Sequence, residues 1–235
     1  MFEKLILIRT VVTTNLKIIF ANKFIYFLLA GVGFYLLLVT VGLFDEDWYP
    51  EIEDVYYMLL FPGLLLIFYP TAFGIQNDMD SRMLEMLFGI PNYRYKVWLV
   101  RLGIVLVVVY VMLVLLSYLS VFTIIRVPVF EMAMQLMFPV FFLGCLSFMI
   151  SVLVRNGNGT AAIMVVIALI FWISSGIVEN SEWNIFLNPY DFPRDVYISV
   201  WDETVFYNRL YLAVGTVIAI LAGLFRLQNR EKFIQ

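Results

Sequence analysis

Six long apolar blocks, each free of Asp, Glu, Lys and Arg, constrain this 235-residue chain more than any other feature. They cover residues 24–44, 55–77, 102–125, 132–154, 156–178 and 210–225. A helix crossing the roughly 30 Å hydrocarbon core of a bilayer needs about 20 apolar residues. The blocks are therefore read as membrane spans at 24–44, 55–77, 98–125, 132–154, 158–178 and 205–226. With no water in the bilayer core, the backbone must satisfy itself, and blocks of this length do so as helices. The fold class expected is an all-α polytopic membrane protein, a single transmembrane domain over residues 1–235. Composition agrees: 63% of residues are hydrophobic and 14% charged, against about 45–50% and about 25% in soluble domains. Pro62, Pro70 and Pro139 fall inside spans two and four, where membrane helices tolerate proline as a kink or a packing residue.

The charges between the spans set an orientation. With the N-terminus inside, the inner segments hold 12 of the 15 basic residues and 5 of the 18 acidic ones, so they carry +7 and the outer segments −10. Basic residues flanking spans are retained in the cytoplasm. The expected location is the inner (cytoplasmic) membrane of the cell, multi-pass, with both termini cytoplasmic. Trp48, Tyr49, Trp98, Trp183 and Trp201 fall near span ends and are read as headgroup-level anchors. Arg209 and Glu131, the charges nearest a span interior, are read as snorkelling to the interface.

Three connecting segments stand out. In residues 3–20, Leu5, Ile8, Val12, Leu16 and Ile19 recur at helical spacing beside Lys4, Arg9 and Lys17, the pattern of a basic helix lying flat in the interface. This reading is preferred to a cleavable signal, because the basic residues are spread over the first 23 positions and no compact apolar region with a cleavage site follows. In residues 78–90, Met79, Met83, Met86, Leu87 and Ile90 share one helical face, and Asp78, Ser81, Arg82 and Glu85 the other. Asp78 and Arg82 are spaced to pair across one turn, and Gly89 and Pro91 stop the helix. A Met-rich face adapts to irregular grooves and suits docking into a partner protein; lying on lipid fits the same periodicity. The third segment, 179–203, is expected to be an outer re-entrant stretch with short helices near 183–187 and 195–201. The acidic loop 45–54 is read as solvated.

What is missing narrows the function. There is no histidine, and Cys145, the single cysteine, lies in an apolar run and is read as core. Asn156-Gly157-Asn158-Gly159-Thr160 has the glycines of a phosphate loop without the lysine that reaches the phosphates, and is read as a tight turn. The sequence offers no motif for catalysis, cofactor or metal binding, so the chain itself is not read as an enzyme. A membrane domain with no energy source and a docking helix on its cytoplasmic side points to a subunit driven by another polypeptide. A non-transporting anchor or sensor that recruits a cytoplasmic partner is the alternative reading.

This order of parts resembles the permease subunits of ABC-2 type exporters, with the type V exporter fold. The local match lies in residues 80–101, DSRMLEMLFGIPNYRYKVWLVR, where Leu84, Glu85, Leu87, Pro91, Arg94 and Arg101 fall in register with the family's pattern. Arg82-Met83 replaces the family's Gly-Thr. Leu187-Asn188-Pro189 resembles a recurrent element before the last span. The resemblance implies export of a hydrophobic or amphipathic substrate, such as a peptide, lipid or drug-like molecule. It implies two copies of a separate ATPase subunit that binds ATP and Mg, a second permease subunit in a homodimer or a dimer with a related permease, contact with membrane lipids, and no nucleic acid. Asp78, Arg82, Met83, Glu85, Leu87, Pro91 and Arg101 are then the ATPase-coupling residues of a cytoplasmic coupling helix. Spans two and five of the two subunits would then face each other around the substrate route, and Phe61, Phe68, Tyr69, Thr71 and Phe73 of span two, with Phe171, Ser174 and Ser175 of span five, are the candidates to line it.

Overall fold

In a computed structural model, the described residues are 24–44, 48–80, 94–194 and 196–227, with backbone alone at 24 and 94–96. They are helical, with no strand among them. Six helices are long and apolar enough to cross a membrane: α1 (Phe24–Leu43), α2 (Ile52–Asp80), α3 (Val100–Thr123), α4 (Val129–Val154), α5 (Gly157–Ser175) and α6 (Ile198–Arg226). The chain is a multi-pass membrane protein. The interfacial helix expected at 3–20 and most of the docking helix, residues 81–90, lie outside the described residues.

Charge-free length predicts the spans well, but three boundaries move. α2 continues through Asp80, so Asp78 belongs to its last turn. A single π-helical turn, Arg94–Leu99, leads into α3. α6 starts at Ile198 and not near 205, taking Trp201, Asp202 and Glu203 into the helix. Helices α2 and α4 run unbroken through Pro62, Pro70 and Pro139.

Helix α4 forms the centre, packing on α2, α3, α5 and α6. In the most apolar stretches of α2 and α4, 56% of positions are buried, against 17% in α1 and α5. The last two thus present apolar faces almost all round, as helices facing lipid or another subunit do. Without a hydrophobic drive between helices in lipid, close packing must hold the bundle together, and small residues permit it. Gly144 on α4 shows this, since a Cβ there would collide with Ile67 of α2. Gly63 of α2 faces Leu113 and Val140, each 3.1 Å from the position its Cβ would take. Tyr35, fully buried on α1, shares a 2.7 Å hydrogen bond with Thr123 and ties α1 to α3. Cys145 is buried in the core, as its surroundings predict.

One end of the bundle carries residues 48–51, 124–128, 176–194 and 196–197; we call it the cap end. At the opposite end α4 and α5 join through Arg155 and Asn156. Arg155 adopts a left-handed conformation (φ 60°), and Asn156 caps α5 by accepting from Gly159 N–H at 2.9 Å. The turn is as tight as the sequence suggests, but Gly157 and Gly159 lie in the first turn of α5. Gly157 N–H also donates to Gln76 Oε1 at 2.5 Å, and Ser151 Oγ donates to the Ala72 carbonyl at 2.8 Å, fastening this end of α2 to α4 and α5.

Candidate functional site

Three features are built from residues that could serve a membrane machine. The first is an open groove between α2 and α5. These helices are in contact, and a cavity of about 690 Å³ lies between side chains of both. Tyr57, Leu60, Phe61 and Leu64 of α2 form one wall, and Val165, Ala168, Leu169, Trp172 and Ser175 of α5 the other. Glu179, Asn184 and Phe186 from the cap close its end. A second cavity of about 240 Å³ shares Phe61, Leu64, Val165 and Ala168 with the first and continues deeper, past Phe68, Leu143 and Met164. The volume is that of a small-molecule site. Polarity is graded along it: the deep part is apolar, and the polar side chains Tyr57, Ser175, Glu179 and Asn184 line the cap-end part.

Of the residues expected on a path between spans two and five, the groove takes Phe61, Phe68 and Ser175. Tyr69 instead stacks on Phe27 of α1 at 4.2 Å and on Phe73 at 5.4 Å. Thr71 is buried and bonds back to the Ile67 carbonyl at 2.8 Å. Ser174 bonds back to the Phe171 carbonyl at 3.0 Å, and neither residue is among the groove's lining. Helical periodicity explains the split: Phe61, Leu64, Leu65 and Phe68 lie three to four residues apart on one face, while Tyr69 and Phe73 are turned towards other neighbours. Tyr57, Leu64, Ala168, Trp172 and Glu179 were missed, although the same spacing from Phe61 would have found the first two.

The second feature is a buried ion pair at the end opposite the cap. Asp78, 4% exposed, accepts from Arg101, 8% exposed. The Arg101 guanidinium also lies over the Trp98 ring, 5.0 Å from its centroid. This pair joins the last turn of α2 to the first turn of α3, and so closes the base of the segment between them. Asp78 thus pairs with Arg101, 23 residues along; Arg82, which helical spacing would place beside it, lies outside the described residues. So do Met83, Glu85, Leu87 and Pro91. Trp98 is buried at 4% exposure, so it packs under Arg101 and is not a headgroup anchor.

The third is a polar network under the cap. Arg209 does not snorkel. With α6 beginning at Ile198, it sits about three turns inside the helix and is 6% exposed. Its guanidinium donates to Gln135 Oε1 at 2.8 Å, Asn208 Oδ1 at 2.7 Å, the Leu187 carbonyl at 3.1 Å and Tyr56 Oη at 3.4 Å. The Phe138 ring lies 5.7 Å from it. Asn208 Nδ2 donates to the Asn184 and Glu182 carbonyls at 2.7 and 2.9 Å, and Asn188 Nδ2 to the Glu53 carbonyl at 3.0 Å. Trp201 donates to the Pro189 carbonyl at 3.1 Å and is buried, which corrects its reading as an anchor. The cap is thus a series of turns held by side chains. Residues 183–187 form turns and not the expected helix, and 198–201 open α6. The resembling Leu187-Asn188-Pro189 lies at the centre of these contacts.

Compared with known proteins, the chain matches no family model, no curated protein and no solved structure.

Proposed function

We propose that this chain is the membrane-spanning permease subunit of an ATP-driven exporter of the ABC-2 type, working as a homodimer with two separate ATPase subunits. The groove between α2 and α5 carries this reading. It is ligand-sized, open at the bundle's side and lined mainly by apolar and aromatic groups, and its walls are α2 and α5, the two helices that the resemblance makes face those of a second subunit around the substrate route. Its apolar depth suits a hydrophobic or amphipathic cargo, because burying a charge there without a partner is costly. The charge asymmetry of the loops supports placing the cap outside and the Asp78–Arg101 end in the cytoplasm. In that orientation the pair anchors both ends of the segment 81–93, so that a push on a coupling helix there would reach α2 and α3 together.

Affinity purification from the native membrane tests this. The proposal expects an ATPase to co-purify and its turnover to depend on this chain. The double variant M83D/L87D and the single variant E85A should insert normally and lose that dependence. Normal insertion with unchanged ATP turnover in these variants would remove the coupling role, and finding no ATPase partner would favour the anchor reading.

A further inference from the structure

The groove's cap end has a chemistry that its apolar depth does not explain. Glu179 lines this end, and its carboxylate forms no ion pair among the described residues. The carboxylates of Glu53 and Asp191 are within electrostatic range of the Tyr57 hydroxyl, which lines the same end. No Lys or Arg is among the lining residues. Aromatic rings surround this acidic end: Tyr57, Phe61, Trp172 and Phe186. Trp172 is 69% exposed and Phe61 48%, although Phe34 lies against the Phe61 ring at 4.6 Å, so Trp172 is the more accessible of the two. Rings of this kind attract a cation through their quadrupole, and an unpaired carboxylate beside them adds a charge of the right sign. A lipid phosphate would meet Glu179 with like charge and no donor of opposite charge.

We propose that the groove binds a lipophilic cation, a small molecule with a bulky apolar or aromatic body and one positive charge, which enters from the membrane. The body occupies the apolar stretch between Leu64, Val165 and Ala168, and the charge sits among Trp172, Tyr57 and Glu179. This inference rests on the groove being the ligand route of the proposed permease, and it narrows that route to one substrate class.

The test uses the full chain in nanodiscs of zwitterionic lipid, with binding measured over empty discs. Tetraphenylphosphonium is the cationic probe and N-phenyl-1-naphthylamine the neutral aromatic one. The E179Q variant should weaken tetraphenylphosphonium binding roughly two- to fivefold, the range of a partly exposed charge pair, and E179K should weaken it further. Neither change should move naphthylamine binding. The A168W variant fills the waist shared by the two cavities and should abolish binding of both probes. If A168W blocks both probes but the Glu179 series leaves tetraphenylphosphonium unaffected, the cationic class is wrong and the groove stands. If A168W leaves both unchanged, the groove itself is not the ligand route. Absence of tetraphenylphosphonium binding above empty discs overturns the inference and shows this end of the groove to be no match for a cation.

Discussion

The two buried arginines are held in opposite ways. Arg101, at the end opposite the cap, faces a carboxylate and an indole ring. Arg209, under the cap, has no carboxylate partner among the described residues; a glutamine, an asparagine, a tyrosine hydroxyl and a main-chain carbonyl solvate it. A salt bridge fixes one distance between two helices. A cation shared among four neutral acceptors from α2, α4, α6 and the cap fixes all of those elements relative to one another. Arg101 is therefore suited to joining two helix ends that move as a unit, and Arg209 to keeping the cap rigid on the bundle.

This comparison can be broken by mutation. The largest effect belongs to the ion pair: D78A or R101A removes one member of a buried pair, at about 3–5 kcal/mol. The double variant D78A/R101A should be more stable than either single one, as read by thermal melting of the protein in detergent. At the cap, R209M should cost about 3 kcal/mol by orphaning several buried acceptors. No single second substitution should restore it, because the acceptors come from separate residues. R209K keeps the charge but not the planar fork and should fall between wild type and R209M. If one second-site change rescued R209M as fully as the double variant rescues the pair, the two ends would not differ. The smallest effect separates two kinds of glycine. G144A forces Ile67 aside and should cost about 1–3 kcal/mol, as overpacking does. G33A meets nothing within 4 Å and should be neutral or slightly stabilising, since alanine favours helix.

The same contrast explains what the sequence could reveal. Spans are local: a long apolar run without charge marks a helix wherever it occurs, and all six are present. The start of α6 was hidden because Asp202, Glu203 and Arg209 interrupt the apolar run, although the first two are on the exposed face of the helix and the third points inward. The cap's hydrogen bonds join residues far apart in the chain, Asn188 with Glu53 and Arg209 with Tyr56, and no periodicity predicts them. Two signals were present: Asn208-Arg209 inside an apolar helix, and Asn184 and Asn188 in one short loop. The groove was legible in part, because the spacing along α2 could be read but which face of α5 lies opposite it could not.

The central claim is that an ATPase drives this membrane domain. ATP hydrolysis by the co-purified ATPase, measured in proteoliposomes with the wild-type chain, with M83D/L87D and with no chain, tests it most directly. The account predicts turnover with the wild-type chain alone, and near-background turnover in the other two. Equal turnover in all three would contradict it.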